Sequence, residues 1–283
     1  MTPRVLLLQT ARRLREAGIP DPVEDAALLL SHLLGRPPLA LRVDDETQLD
    51  ESLLSAYQHL VGKRLTREPL QYLLKESVFY GRSFFVDPRV LIPRPETEWL
   101  CAWALETLAP VVRPSILDLC TGSGCIGLTL KAERPDATLI LSDLSEDALQ
   151  VASHNADRLG LSVTFCRSDL FAAVSPAPYH CIISNPPYIP SSECGALQPE
   201  VLFEPPLALD GGSDGLSLYR RLILDAPRFL CDGGFLFLEL GMGEAAAVAA
   251  LLRLSGFEDI QIRQDLAGID RMIRAQYVRR KHV

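Results

Sequence analysis

Asp118-Leu119-Cys120-Thr121-Gly122-Ser123-Gly124-Cys125-Ile126-Gly127 is the stretch on which the fold turns. An apolar run, Ile116-Leu117-Asp118-Leu119, leads into it and reads as a strand; residues 124–132 follow as a helix. Gly122, Gly124 and Gly127 satisfy Gly-x-Gly-x-x-Gly between the two. Glycines in such a turn let the backbone come close to a ligand. Asp143 lies about twenty residues on, at the end of the next expected strand, where a carboxylate accepts hydrogen bonds from ribose hydroxyls. A merely tight strand-to-helix turn has no use for that acid, so the stretch reads as a nucleoside-binding loop.

Outward from the loop, strands are expected at 137–142, 163–166, 179–184 and 235–240, with a helix over 146–159. Asp232-Gly233-Gly234 reads as the turn into the last strand. Such alternation gives a parallel sheet with helices on both faces. Residues 3–75 read as helices only. Gly18-Ile19-Pro20 ends the first, Asp21 and Pro22 open the second, and Gly35 with Pro37-Pro38 stops it. A third runs from 50 to 67. Phe79 to Val86 places aromatic and β-branched residues around Gly81, the signature of a hairpin. Pro93 and Pro95 then hold an extended linker before a helix at 97–108, and its Arg94, Glu96 and Glu98 are candidate ligand contacts or plain solvated charges. The expected domains are a helical bundle (1–75), a hairpin with rigid linker (76–96) and an α/β domain (97–283).

Composition narrows the function. The chain has 283 residues, 48% hydrophobic and 23% charged, with net charge −8. Residues 1–92 carry 12 basic and 12 acidic side chains, and residues 93–283 carry 16 and 24. Holding nucleic acid by its phosphates needs a basic excess, so no direct nucleic-acid partner is expected. Arg12, Arg13, Arg15 and Lys63, Arg64, Arg67 read as solvated helix faces. The seven cysteines form no Cys-x-x-Cys pair. They read as reduced, mostly buried thiols, with neither disulfides nor a metal site. His32 and His59 read as structural or solvated. No signal-peptide pattern and no membrane-length apolar stretch is present, so a cytoplasmic protein and a monomer are expected.

The nucleoside remains to be chosen. NAD brings a pyrophosphate to a helix N-terminus. S-adenosylmethionine brings an α-amino acid and a sulfonium, for which Asp118 is useful. Asp-x-Cys-Thr-Gly-Ser-Gly resembles motif I of class I methyltransferases, with Cys120 where that motif has its first glycine. In that fold Asp169, after the third strand, stands where a carboxylate accepts from the adenine amine.

Ser184-Asn185-Pro186-Pro187-Tyr188 ends the fourth strand, since two prolines cannot continue a ladder. Asn-Pro-Pro-Tyr there resembles the motif of enzymes that methylate amide or exocyclic amino nitrogens. The Asn185 side-chain oxygen and the Pro186 carbonyl can accept the two N–H bonds of such a nitrogen, and Tyr188 can pack on its plane. The wider chain resembles the PrmC/HemK family of release-factor N5-glutamine methyltransferases. The match runs through the helical start, Leu91 to Glu98, the glycine loop, Ser184 to Ile189, Phe203-Glu204-Pro205-Pro206-Leu207-Ala208-Leu209, and Asp265-Leu266-Ala267-Gly268-Ile269-Asp270-Arg271. The resemblance implies a class I methyltransferase Rossmann-like sheet, mainly parallel with a C-terminal antiparallel hairpin, plus the helical bundle. It implies methyl transfer from S-adenosylmethionine, leaving S-adenosylhomocysteine, to the glutamine of the Gly-Gly-Gln motif of peptide chain release factors, with the bundle helping to hold them. The implied donor site is Asp118, Cys120, Thr121, Gly122, Gly124, Asp143, Leu144, Asp169, Leu170 and Asn185. The implied acceptor site is Asn185, Pro186, Pro187, Tyr188, Arg94, Glu96 and Glu204, with Asn185, Pro186 and Tyr188 catalytic. A ribosomal-protein glutamine methyltransferase uses the same motifs. A DNA or RNA amino-methyltransferase needs a basic groove at Asn185. A nicotinamide oxidoreductase, or a non-catalytic binding module, leaves Asn-Pro-Pro-Tyr without a task.

Overall fold

Prolines open and glycine closes helices at the start of the chain. α1 (Pro3–Glu16), α2 (Pro22–Leu34) and α3 (Pro38–Val43) carry proline in their first turn, where its missing N–H costs nothing. α2 stops at Gly35, whose φ of 63° is left-handed. α4 (Glu51–Leu65) is capped by the Asp50 carboxylate, which accepts from the Leu53 amide. α5 (Leu70–Leu74) completes the set. α3 and α5 are additions to the expected helices; six and five residues are too few for a periodic signal.

The computed structural model describes residues 1–279. Its contacts divide it into two units, the first being Met1–Glu76 with Gln198–Phe203. That unit packs Leu14, Leu29, Leu30, Tyr57 and Val61 into one core. Arg64 corrects an expectation: it is 4% exposed and not on a solvated face. Its Nε donates to buried Asp25 at 2.7 Å and its Nη1 to Glu200 at 3.0 Å. A buried cation needs such partners, and they are what draws residues 198–203 to the helices.

The second unit opens with a hairpin, β1 (Ser77–Phe79) and β2 (Arg82–Phe84), turned by Tyr80 and Gly81, both at positive φ. α6 (Pro95–Leu108) begins two residues before the expected 97, because Pro95 serves as its first residue. β3 (Ser115–Leu119), α7 (Cys125–Glu133), β4 (Thr138–Asp143), α8 (Glu146–Leu159), β5 (Thr164–Arg167) and β6 (Tyr179–Ser184) follow. Then come α9 (Ser217–Asp225), β7 (Leu230–Glu239), α10 (Ala245–Leu254), β8 (Phe257–Gln264) and β9 (Asp270–Tyr277). The sheet order is β5-β4-β3-β6-β7-β9-β8, parallel through β7 and antiparallel at β9 and β8. This is the expected class I methyltransferase sheet with its C-terminal hairpin. Asp232-Gly233-Gly234 is not a turn ahead of the strand. It lies inside β7 as a bulge, with Tyr179 opposite Leu230 but Cys181 opposite Phe235.

Side chains alternate across the sheet, as the strand repeat requires. Leu117, Leu119 and Ile182 enter one core with α9 and α10; Ile116, Cys181 and Ile183 enter the other with α6 and α7. The chain lays β3, β4 and β5 outward, then returns to place β6 on the other side of β3. That reversal opens a crevice at the carboxyl ends of β3 and β6, where sheets of this kind bind ligands. Among the described residues no helix is long and apolar enough to cross a membrane.

Candidate active site

Leu119 at the end of β3 pairs with Ser184 at the end of β6, and the Ser184 hydroxyl donates to the Leu119 carbonyl at 2.7 Å. The two loops that carry the motifs therefore leave the sheet side by side. Beneath the first, Asp118 is fully buried. Its Oδ2 accepts from Thr121 Oγ1 at 2.6 Å and from the Gly127 amide at 2.9 Å. Gly127 is the third residue of α7, so the carboxylate fills the anion position that a pyrophosphate takes in dinucleotide folds. Burial pushes Asp118 up to about 7, against its two hydrogen bonds. Its Oδ1 has no partner among the described residues. Gly122, at φ 54°, donates its amide to Asp143 Oδ2 at 2.9 Å. Burial raises Asp143 as well.

A cleft enclosing about 780 Å³ of empty space, its open mouth included, lies over these loops. Of the expected donor residues, Cys120, Gly122, Asp143, Leu144, Asp169, Leu170 and Asn185 line it. Asp118, Thr121 and Gly124 do not; they shape the loop from below. Asp169 is on the lining, but its Oδ2 is held by Arg221 at 2.7 Å. The walls are largely apolar, with Leu91, Leu207 and Leu218 among them. The lining cation, Arg89, is spent on Asp87 at 2.8 Å. Ser142, also on the lining, has a buried hydroxyl without a partner among the described residues. Carboxylates, orphaned acceptors and a filled anion position suit a cationic nucleoside and oppose a dinucleotide.

Asn185 and Pro187 face the same cleft, so the structure brings the glycine loop and Asn-Pro-Pro-Tyr to one place. Asn185 Nδ2 points to Thr97 Oγ1 at 3.5 Å, and Thr97 Oγ1 donates to Glu239 Oε2 at 2.5 Å. Pro186 and Tyr188 lie off the cleft lining. The Tyr188 backbone is gripped by glycines: a Cβ on Gly211 would stand 2.7 Å from Tyr188 Cα, and one on Gly215 2.4 Å from its carbonyl oxygen. Burial pushes the Tyr188 hydroxyl far up, so it stays protonated. Arg94, Glu96 and Glu204 do not line the cleft. Arg94 Nη2 and buried Glu204 Oε1 meet at 2.6 Å, and Glu204 Oε2 accepts from the Ile92 amide at 3.3 Å. These two charges hold the linker to the residue-204 segment, which supplies Pro205, Leu207 and Ala208 to the cleft.

Sequence reasoning missed Thr97, Glu239, Gly211 and Gly215. Glu239 carried one signal, a charge inside the apolar run of residues 235–240. Asn155 was missed too: fully buried in α8, it accepts from the Phe85 amide and donates to the Ser123 carbonyl.

The chain is similar to known proteins along nearly its whole length. Residues 6–74 match the family described as PrmC N-terminal domain, and residues 102–198 the methyltransferase small domain. A release factor glutamine methyltransferase of Deinococcus radiodurans is 41% identical over 273 residues, 96% of this chain and 98% of the relative. One of Chlorobaculum tepidum is 43% identical over 278 residues, 94% of each. Among solved structures, a methyltransferase from Pyrococcus furiosus aligns at TM-score 0.53 and 15% identity, over 79% of this chain and 99% of that one. A 16S rRNA methyltransferase of Thermus thermophilus aligns at 0.54 and 21%, over 71% and 49%. Both support the fold alone.

Proposed function

We propose that this chain, which belongs to the release factor glutamine methyltransferase family, moves the methyl group of S-adenosylmethionine to the side-chain amide nitrogen of a release-factor glutamine. The observation that carries the reading is that Asn185 and Asp143 face one cleft, at the carboxyl ends of the two strands that flank β3. Asp143 and Gly122 would take the ribose, Leu144, Asp169 and Leu170 the adenine. The Ser142 hydroxyl, on the lining, offers an acceptor to the cationic end, and the Asp118 carboxylate adds its negative charge from beneath the loop. The donor supplies an activated methyl on a positively charged sulfur.

Asn185 Oδ1 and the Pro186 carbonyl accept the two N–H bonds of the target amide. Gripped this way, the nitrogen turns its lone pair out of conjugation and toward the methyl. The carbon–sulfur bond breaks as the carbon–nitrogen bond forms, and the nitrogen then loses one proton to solvent. Positioning of this kind is worth roughly 7–11 kcal/mol in favourable cases, and acceptors set against the growing positive charge add to it. Tyr188, neutral and fixed by Gly211 and Gly215, packs on the amide plane. A substrate in translation puts the enzyme in the cytoplasm.

Incubating the protein with a release factor and labelled S-adenosylmethionine should label one glutamine, which peptide mass spectrometry locates. Asn185→Ala should abolish transfer while S-adenosylhomocysteine still binds. Label on a ribosomal protein or a nucleic acid, with none on the release factor, would overturn the reading.

A further inference from the structure

The amide of Asn185 can face two ways. Only one presents its oxygen to the acceptor nitrogen; the other presents N–H to N–H and repels it. Something in the fold must choose. Thr97, on the first turn of α6, is 2% exposed, and Glu239, at the end of β7, is also 2% exposed. The Thr97 hydroxyl hydrogen is committed to Glu239 Oε2 at 2.5 Å. What Thr97 Oγ1 has left is acceptor capacity, and at 3.5 Å the group that meets it is Asn185 Nδ2. The reverse amide would set Asn185 Oδ1 against an oxygen with no hydrogen to give. Hydrogen bonds at catalytic groups are often long until substrate is bound, so 3.5 Å suits a contact that tightens.

We propose that Thr97 and Glu239 are positioning residues that hold the Asn185 amide with its oxygen toward the methyl acceptor. The inference rests on the role given to Asn185 above. Neither residue touches substrate; they act through Asn185. A charged Glu239 keeps the Thr97 hydrogen. A protonated Glu239 gives its own hydrogen to Thr97 Oγ1, and frees the Thr97 hydrogen for Asn185 Oδ1, which turns the amide over. Burial raises Glu239 to about 7; Arg271 and Arg94 pull it down and Glu96 pushes it up. Tyr188, Tyr219, Cys101 and Cys125 also lie within its field, and all four are neutral because burial raises them. The relay is therefore set at alkaline pH and released as pH falls through about 7.

Thr97→Val keeps the shape and removes the hydroxyl. It should lower kcat about tenfold, the worth of one hydrogen bond, and leave KM for the donor and the affinity for S-adenosylhomocysteine unchanged. The fall of kcat on acidification, present in the parent protein, should vanish in both Thr97→Val and Glu239→Gln. Thr97→Ser should restore rate and pH limb together. An inactive Asn185→Ala beside a Thr97→Val with parental kcat and pH limb would overturn the relay and leave the role of Asn185 standing. So would a Thr97→Val that loses S-adenosylhomocysteine, or a Thr97→Ser that rescues nothing, since either marks a structural role. Full activity in Asn185→Ala would overturn the parent reading and the relay with it.

Discussion

The Asp118 carboxylate lies 2.9 Å from the Gly127 amide, and that single contact joins the end of β3 to the start of α7. It places a negative group at a helix N-terminus, where the helix dipole favours one. It also explains why the third glycine of the loop carries no side chain. A Cβ on Gly127 would stand 2.2 Å from Leu141 Cδ2 and 2.9 Å from Asp118 Oδ2.

Gly127→Ala should therefore do two things at once. Overpacking between α7 and β4 should cost about 1–3 kcal/mol of stability, read from urea unfolding. Displacing Asp118 should weaken S-adenosylhomocysteine binding, read by calorimetry. A variant with parental stability and affinity would show that helix and strand can part here without cost.

The same carboxylate makes stability depend on pH in an unusual direction. Folding raises Asp118 from 3.8 to about 7 and Glu239 from 4.5 to about 7, burial being the main cause of each. Unfolded, both lose their protons near the ordinary values. Between about pH 5 and pH 7 the unfolded chain thus binds fewer protons than the folded one, and stability falls as pH rises. The contribution is complete below the unfolded values and lost through about 7. Asp136 and Asp214 are held down at about 2, chiefly by hydrogen bonds from Arg134 and Arg220, so their opposite effect lies at lower pH. Tm should be lower at pH 8 than at pH 5.5, and Asp118→Asn should narrow the gap. A Tm that climbs over this interval would contradict the burial of both groups.

Local chemistry made much of this legible. Glycine spacing, strand period and paired prolines are properties of neighbouring residues, and they located the glycine loop, the parallel sheet and the Asn185 turn. What stayed hidden depends on distant register. Arg94 and Glu204 are 110 residues apart and look like free ligand contacts until the fold spends them on each other. Arg64 reads as a surface arginine until Asp25 and Glu200 are seen around it. Thr97 and Glu239 meet because α6 packs against β7 and starts at Pro95. No pattern within either segment announces that meeting.

Cys120 offers the last test, because its backbone asks for glycine. Its φ is 57°, in the left-handed region, where an L side chain costs about 1–2 kcal/mol. Its side chain lines the cleft, and burial pushes the thiol up, so it stays protonated and inert. A small, unbranched residue is tolerated where a larger one is not. Cys120→Gly relieves the strain and gives up a little buried sulfur; its stability should stay within about 1 kcal/mol of the parent and its affinity for S-adenosylhomocysteine should hold. Cys120→Val puts a β-branched residue at positive φ and a second branch at Cβ against the ligand space. It should lose about 2 kcal/mol in urea unfolding, as strained positions do, and bind S-adenosylhomocysteine at least about tenfold more weakly, one carbon's misfit being worth about 1–3 kcal/mol. Parental affinity in Cys120→Val would mean that the ligand does not pass over this residue, and the donor site would have to be redrawn around Asp143 and Asp169 alone.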